Sequence, residues 1–228
     1  MVENSYGKKM SEIESIDSGT YGYSTENVIV KNREDLRKII EEPCLPSCLV
    51  LYDKNIRTVN SSANKREIGG QAYIGIDYDS LDENNKRILE DLIARGIIEQ
   101  QELSDNPQKR GGRDITIKVP VTEEDTVGTV SDKFMAIIRQ FEVQDVLYGR
   151  RSVESVLNEI NQHYQDFCHP NENGEVEFEE IKDIITSVYT DMVYDEETDM
   201  FWETKDLLDK HKQFINRDKD NDLEKIDG

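Results

Sequence analysis

Cysteine, histidine and long apolar runs are what this sequence has least of. Three cysteines in 228 residues, Cys44, Cys48 and Cys168, are too few and too odd for a disulfide scaffold and point to reduced thiols. The three histidines, His163, His169 and His211, all fall in the last third. Ser61, Ser62 and Cys48 are therefore nucleophiles without a nearby histidine base in sequence. Pro43 and Pro46 surround a Cys44-x3-Cys48 pair that reads as a helix start, and no second close pair completes a zinc set. No stretch approaches the roughly 20 apolar residues that cross a bilayer. The opening MVENSYGKKMSEIES has no apolar segment behind its basic residues, so the expectation is a cytoplasmic chain with no membrane contact.

Positive charge is scarce too. Against 49 acidic residues there are 28 Lys and Arg, a net charge of -21, with a pI near 4.5. Such self-repulsion favours solubility and opposes direct binding of duplex nucleic acid, which needs clustered cations. With 36% hydrophobic and 34% charged residues, the composition is that of a globular protein with a modest core. The length admits one large domain or two small ones.

The first 26 residues lack periodicity and read as a flexible tail. Asn32 can cap a helix carrying Leu36, Ile39 and Ile40, stopped before Pro43, and a second helical segment runs from Pro46 to about Asn55. The stretch from Ile56 to Leu81 alternates apolar and polar residues on either side of a polar loop, the signature of two strands. Ser80 or Asp82 can start a helix with Ile88, Leu89, Leu92 and Ile93 inward, ended by Gly96. Ile115, Ile117 and Val119 alternate into a further strand, and Thr122 followed by three acids marks the start of a helix carrying Val127 to Phe141. From Ser152 the pattern becomes helical stripes separated by acidic turns. That last stretch holds 22 acids and 7 bases, a net of -15, leaving -6 for the first 151 residues.

These patterns predict an α+β protein. A small N-terminal α/β sandwich over 27–148, with a three- to four-stranded mixed sheet, precedes an acidic all-helical module over 149–216 and an acidic tail over 217–228. Joined through one helix, strands 72–78 and 113–119 are expected to run parallel by a right-handed crossover. Both would then begin at one end of the sheet, each behind a basic glycine loop. Lys65 and Arg66 precede one; Lys109, Arg110 and Arg113 flank the other, and Ser61, Ser62 and Asn64 end the neighbouring strand there. Arginine forks and glycine-freed backbone N–H groups suit phosphate or carboxylate, so these eight residues form the candidate site for a small anionic ligand such as a nucleotide or phosphometabolite. Neither loop matches a P-loop or dinucleotide fingerprint.

The segment His169 to Glu180 resembles an EF-hand calcium loop. Asn171, Asn173 and Glu175 supply alternating oxygens, Gly174 falls at the sharp turn, Val176 at the apolar position and Glu180 at the bidentate position. His169 departs from the pattern at the first ligand place. Asn216 to Asp227 offers a second acidic series without the glycine. The resemblance implies calcium as a possible ligand; otherwise no cofactor is expected. The dense turn Asp195 to Asp199, followed by Phe201 and Trp202, suits a basic protein partner if the aromatics are exposed.

The leading functional reading is a non-enzymatic binding or regulatory protein with an anion site and an acidic protein-contact surface. One alternative is an acidic inhibitor or nucleic-acid mimic that blocks a basic groove on its target. The other is an enzyme acting on a phosphorylated substrate, for which nothing names a reaction or a catalytic residue.

Overall fold

In a computed structural model, the described residues are 5–10, 30–63, 70–99, 104–105, 113–163, 169, 172 and 178–226. They form a mixed α+β architecture that divides into two compact units, with the break between Gln144 and Asp145. The composition shift had suggested 149.

Local signals explain the elements of the first unit. Helix α1 (Arg33–Ile39) starts where the Asn32 side chain accepts from the Glu34 and Asp35 N–H groups, with acids in its first turn and bases in its last, as the helix dipole favours. Helix α2 (Leu45–Asp53) carries Pro46 in its first turn, where a missing N–H costs nothing. In α3 (Glu83–Ala94), the Asp82 carboxylate caps the Asn85 N–H at 2.7 Å. Helix α4 (Val127–Ile138) begins at Thr126, through a reciprocal capping box with Thr129. It starts later than the acid-rich Thr122 to Asp125 segment suggested. There Asp125 turns its carboxylate back onto the Thr122 N–H and hydroxyl and onto Lys133.

Strands β1 (Thr58–Ser62), β2 (Gln71–Asp77), β3 (Ser104–Asp105) and β4 (Arg113–Pro120) form a sheet in the order β1-β2-β4-β3. Every pairing in it is antiparallel. The sheet is therefore not mixed, and the expected parallel crossover is overturned: Gln71 pairs with Pro120 and Asp77 with Asp114. Ala72, Ile74 and Ile76 share one face with Ile115, Ile117 and Val119, and all six are buried with side chains of α2, α3 and α4. Opposite that core, Gly75 has the Asn60 side chain laid over it, where any Cβ would collide with Asn60 Oδ1 at 2.2 Å.

A buried amide network closes the unit. Gln144 Nε2 donates to the Ser80 carbonyl at 2.6 Å, and its Oε1 accepts from Asn85 Nδ2 and from the Asp82 N–H. Lys54 Nζ donates to the carbonyls of Ile138, Arg139 and Phe141, a cation placed on the orphan groups that end α4. Residues 5–10, expected within a flexible tail, are docked. Met10 is buried in the core, Met10 N–H donates to the Asp125 carbonyl, and the Tyr6 ring lies on Gly128 with its hydroxyl on Asp132 at 2.6 Å.

The second unit is not all-helical. Besides α5 (Val153–His163), α6 (Phe178–Val188) and α7 (Lys205–Ile226), it has a three-stranded antiparallel sheet of β5 (Arg150–Ser152), β6 (Val193–Asp195) and β7 (Met200–Trp202), in the order β5-β7-β6. These strands are three residues each, too short for alternation to separate them from helical stripes. Val156, Ile181, Ile184, Ile185, Met192 and Phe201 form one core; Val146, Trp202 and Leu207 form another.

Candidate functional site

The proposed anion pocket rests on both basic loops joining one end of the sheet, and the strand directions put the described points where they join it at opposite ends. The loop before β2 joins the sheet at Gln71, beside the end of β4, whereas the loop before β4 joins it at Arg113, beside the end of β2. Six residues of strand between them separate the two joins by about 20 Å. Ser61 and Ser62 pair with Ile74 and Tyr73, at the Gln71 end and far from Arg113. Ser61 faces the core side and hydrogen-bonds the Cys48 thiol. Arg113 is engaged: its Nη2 lies 2.8 Å from Asp79 Oδ1, its backbone N–H donates to Asp79 Oδ2 at 2.8 Å, and its guanidinium stacks 4.8 Å from the Tyr78 centroid. Those bonds hold the Asp79 carboxyl below its usual range. Asn64, Lys65, Arg66, Lys109 and Arg110 lie outside the described residues.

The antiparallel register makes a contact that the sequence did not announce. Asp77 and Asp114 are directly opposed on β2 and β4. Asp77 is buried, and loss of solvation pushes its carboxyl up, with Arg57 and the Asp79 N–H opposing the shift. Asp77 thus gives up its proton at higher pH than an exposed aspartate does, with the Asp114 charge adding to the effect of burial. Only the strand register reveals such a pair.

Nucleophilic chemistry is not supported at the candidate thiol. Cys44 and Cys48 are fully buried, and burial pushes the Cys48 thiol up to about 12, leaving it protonated and inert near neutrality. Of the calcium candidates, Asn171, Asn173 and Glu175 are outside the described residues. Glu180 Oε1 accepts from the His169 N–H at 2.8 Å and lies 2.9 Å from His169 Nδ1; the backbone bond first, then the ring contact, hold its carboxyl low. The first and last places of the loop therefore bond to each other. Asn216 through Ile226 lies within the continuous helix α7, so the second acidic series is not a loop. Among the described residues no group of three or more His, Cys, Asp and Glu is arranged to hold a metal.

The β6–β7 hairpin is the best-built polar feature of the second unit. Asp195 Oδ2 accepts from the Thr198 N–H and hydroxyl, while Asp195 Oδ1 accepts from Lys212 Nζ on α7 at 2.5 Å. Burial opposes ionisation of Asp195, but the bonds from Lys212 and Thr198 outweigh it and hold the carboxyl low. Tyr194 donates to Asp199 Oδ1 at 2.6 Å, and Asp199 takes a left-handed φ of 53°. The turn is fixed from inside, and Glu196, Glu197 and Asp199 are exposed on it. Phe201 and Trp202 are buried, so the condition of exposed aromatics is not met and both belong to the core beside solvated acids. Trp202 stacks near His211, which pairs with Asp145 Oδ1 at 2.8 Å.

No protein-family model, curated protein or solved structure matches this chain. The geometry alone carries the functional reading.

Proposed function

We propose that this is a non-enzymatic binding or regulatory protein whose second unit contacts a basic protein partner through its carboxylates. The observation that supports this is the braced hairpin turn. Its internal bonds from Thr198, Lys212 and Tyr194 to Asp195 and Asp199 brace the turn from which the exposed Glu196, Glu197 and Asp199 extend, with Lys212 also 3.8 Å from Glu197 Oε2. A charged surface that is already ordered loses less entropy when a partner docks, and the excess of acid in this third of the chain steers cationic proteins toward it. The joint anion pocket, whose shared-end argument the antiparallel register does not support, is not part of this reading. An acidic inhibitor or nucleic-acid mimic is the same contact with a nucleic-acid-binding protein as the target.

A lysine octamer titrated into the full chain at low salt tests the surface. The Glu196→Gln/Glu197→Gln pair is expected to weaken binding about 3- to 10-fold, whereas Glu123→Gln/Glu124→Gln, an exposed acidic turn in the first unit, leaves it close to wild type. Equal losses from both pairs would remove the hairpin from the reading.

A further inference from the structure

Lys182, one turn into α6, does not extend into water as a surface lysine ordinarily does. Its Nζ lies 4.8 Å from the centroid of Phe178 and 4.9 Å from that of Tyr194. The two rings meet edge to face, 4.9 Å apart at 70°, so they form two walls of a notch. Phe201 packs behind both, at 5.1 Å from Tyr194 and 6.3 Å from Phe178. At the rim, Glu179 Oε1 accepts from Lys182 at 2.8 Å, with the lysine side chain 22% exposed and the glutamate 80%.

The hairpin acids tune this notch. Tyr194 bonds to Asp199, and that bond, burial and the charges of Asp199, Glu196 and Asp195 push its hydroxyl up to about 12. A phenol donating to a carboxylate carries more electron density on its ring, which strengthens the attraction of the ring face for a cation. Aromatic faces at an angle with a carboxylate rim make a receptor for an ammonium or guanidinium group, and the chain's own ammonium is seated in it.

We propose that this notch is where the acidic surface reads its partner: it receives one lysine or arginine side chain, and Lys182 is the internal occupant that the incoming cation displaces. The inference rests on the proposed function and adds to it the position at which charge is recognised. The tie to Glu179 is an i,i+3 contact whose glutamate side is 80% exposed, of a kind that contributes little, and the four-carbon stem of Lys182 lets its ammonium swing from the rings into water. An incoming cation keeps both ring contacts and lies beside the hairpin carboxylates.

The test compares Lys182→Ala with Lys205→Ala in the full chain, using the lysine octamer and calorimetry. Each variant removes one positive charge from the second unit, but only the first vacates the notch. Lys182→Ala is expected to bind about 3- to 5-fold more tightly than Lys205→Ala. In wild type, the Phe178 and Tyr194 ring resonances are expected to move on titration, a readout that needs no variant. Equal affinities for the two variants, or unmoved ring resonances at saturation, overturn the notch while leaving the charge contact standing. The charge contact fails separately if Glu196→Gln/Glu197→Gln binds as wild type does.

Discussion

Asp77 sits where ionisation is penalised: its carboxyl is buried, opposite Asp114, and raised by loss of solvent. A carboxyl whose folded-state pKa lies above its unfolded value favours folding fully below the unfolded value, and that contribution is lost as pH rises through the folded one. Replacing Asp77 by Asn keeps an oxygen for the Asp79 N–H and removes the charge. Asp77→Asn is expected to raise the melting temperature by roughly 3 °C at pH 7, with the gain fading near pH 3.5, below the unfolded-state value. A melting series in pH checks both ends. Burial acts in the same direction on the thiols: Cys44 and Cys48 are both fully buried, and loss of solvent pushes the Cys48 thiol up. Iodoacetamide at pH 8 is expected to leave both unmodified in the native protein and to label both in urea, as read by peptide mass spectrometry.

The helices of the first unit were legible because each carries a local stop or start: Asn32 and Asp82 as caps, Pro46 in a first turn, Gly96 at a positive φ of 69°. Strand direction was not legible. Nothing in residues 71–77 or 113–120 distinguishes a parallel from an antiparallel neighbour, since both faces and both periods are the same. The shared-end argument for the anion site depended on that choice and fell with it, while the Asp77–Asp114 pair exists because of it. The β5–β7–β6 sheet escaped because its apolar residues also satisfy helical spacing, whereas Trp202, which reads more readily as core than as an exposed anchor, is core. Gly149, at the turn into β5, shows a constraint that a lone glycine in sequence does not declare. Its φ is 68°, and a Cβ there would meet Leu207 Cδ1 at 2.5 Å. Gly149→Ala is expected to lower stability by about 2 kcal/mol, measurable by urea denaturation.

At the scale of the whole chain, a net charge of -21 on 228 residues is a standing repulsion that the fold opposes. Screening ions shorten its reach from about 30 Å at 0.01 M to about 8 Å at 0.15 M. Raising sodium chloride across that interval is expected to raise the melting temperature while weakening any hold on a basic peptide. Calorimetry with parallel titrations separates the two trends. The same arithmetic of like charges discourages copies of the chain from meeting, and one backbone detail works in the same direction. Strand β1 is an outer strand of the first sheet, and Thr58 and Asn60 oppose consecutive residues of β2, which leaves Val59 as an inserted, outward residue. A straight strand from another molecule meets a bent ladder there instead of a regular one. Concentrated solutions should therefore resist end-to-end sheet growth into fibrils, and deleting Val59 would restore a template for it.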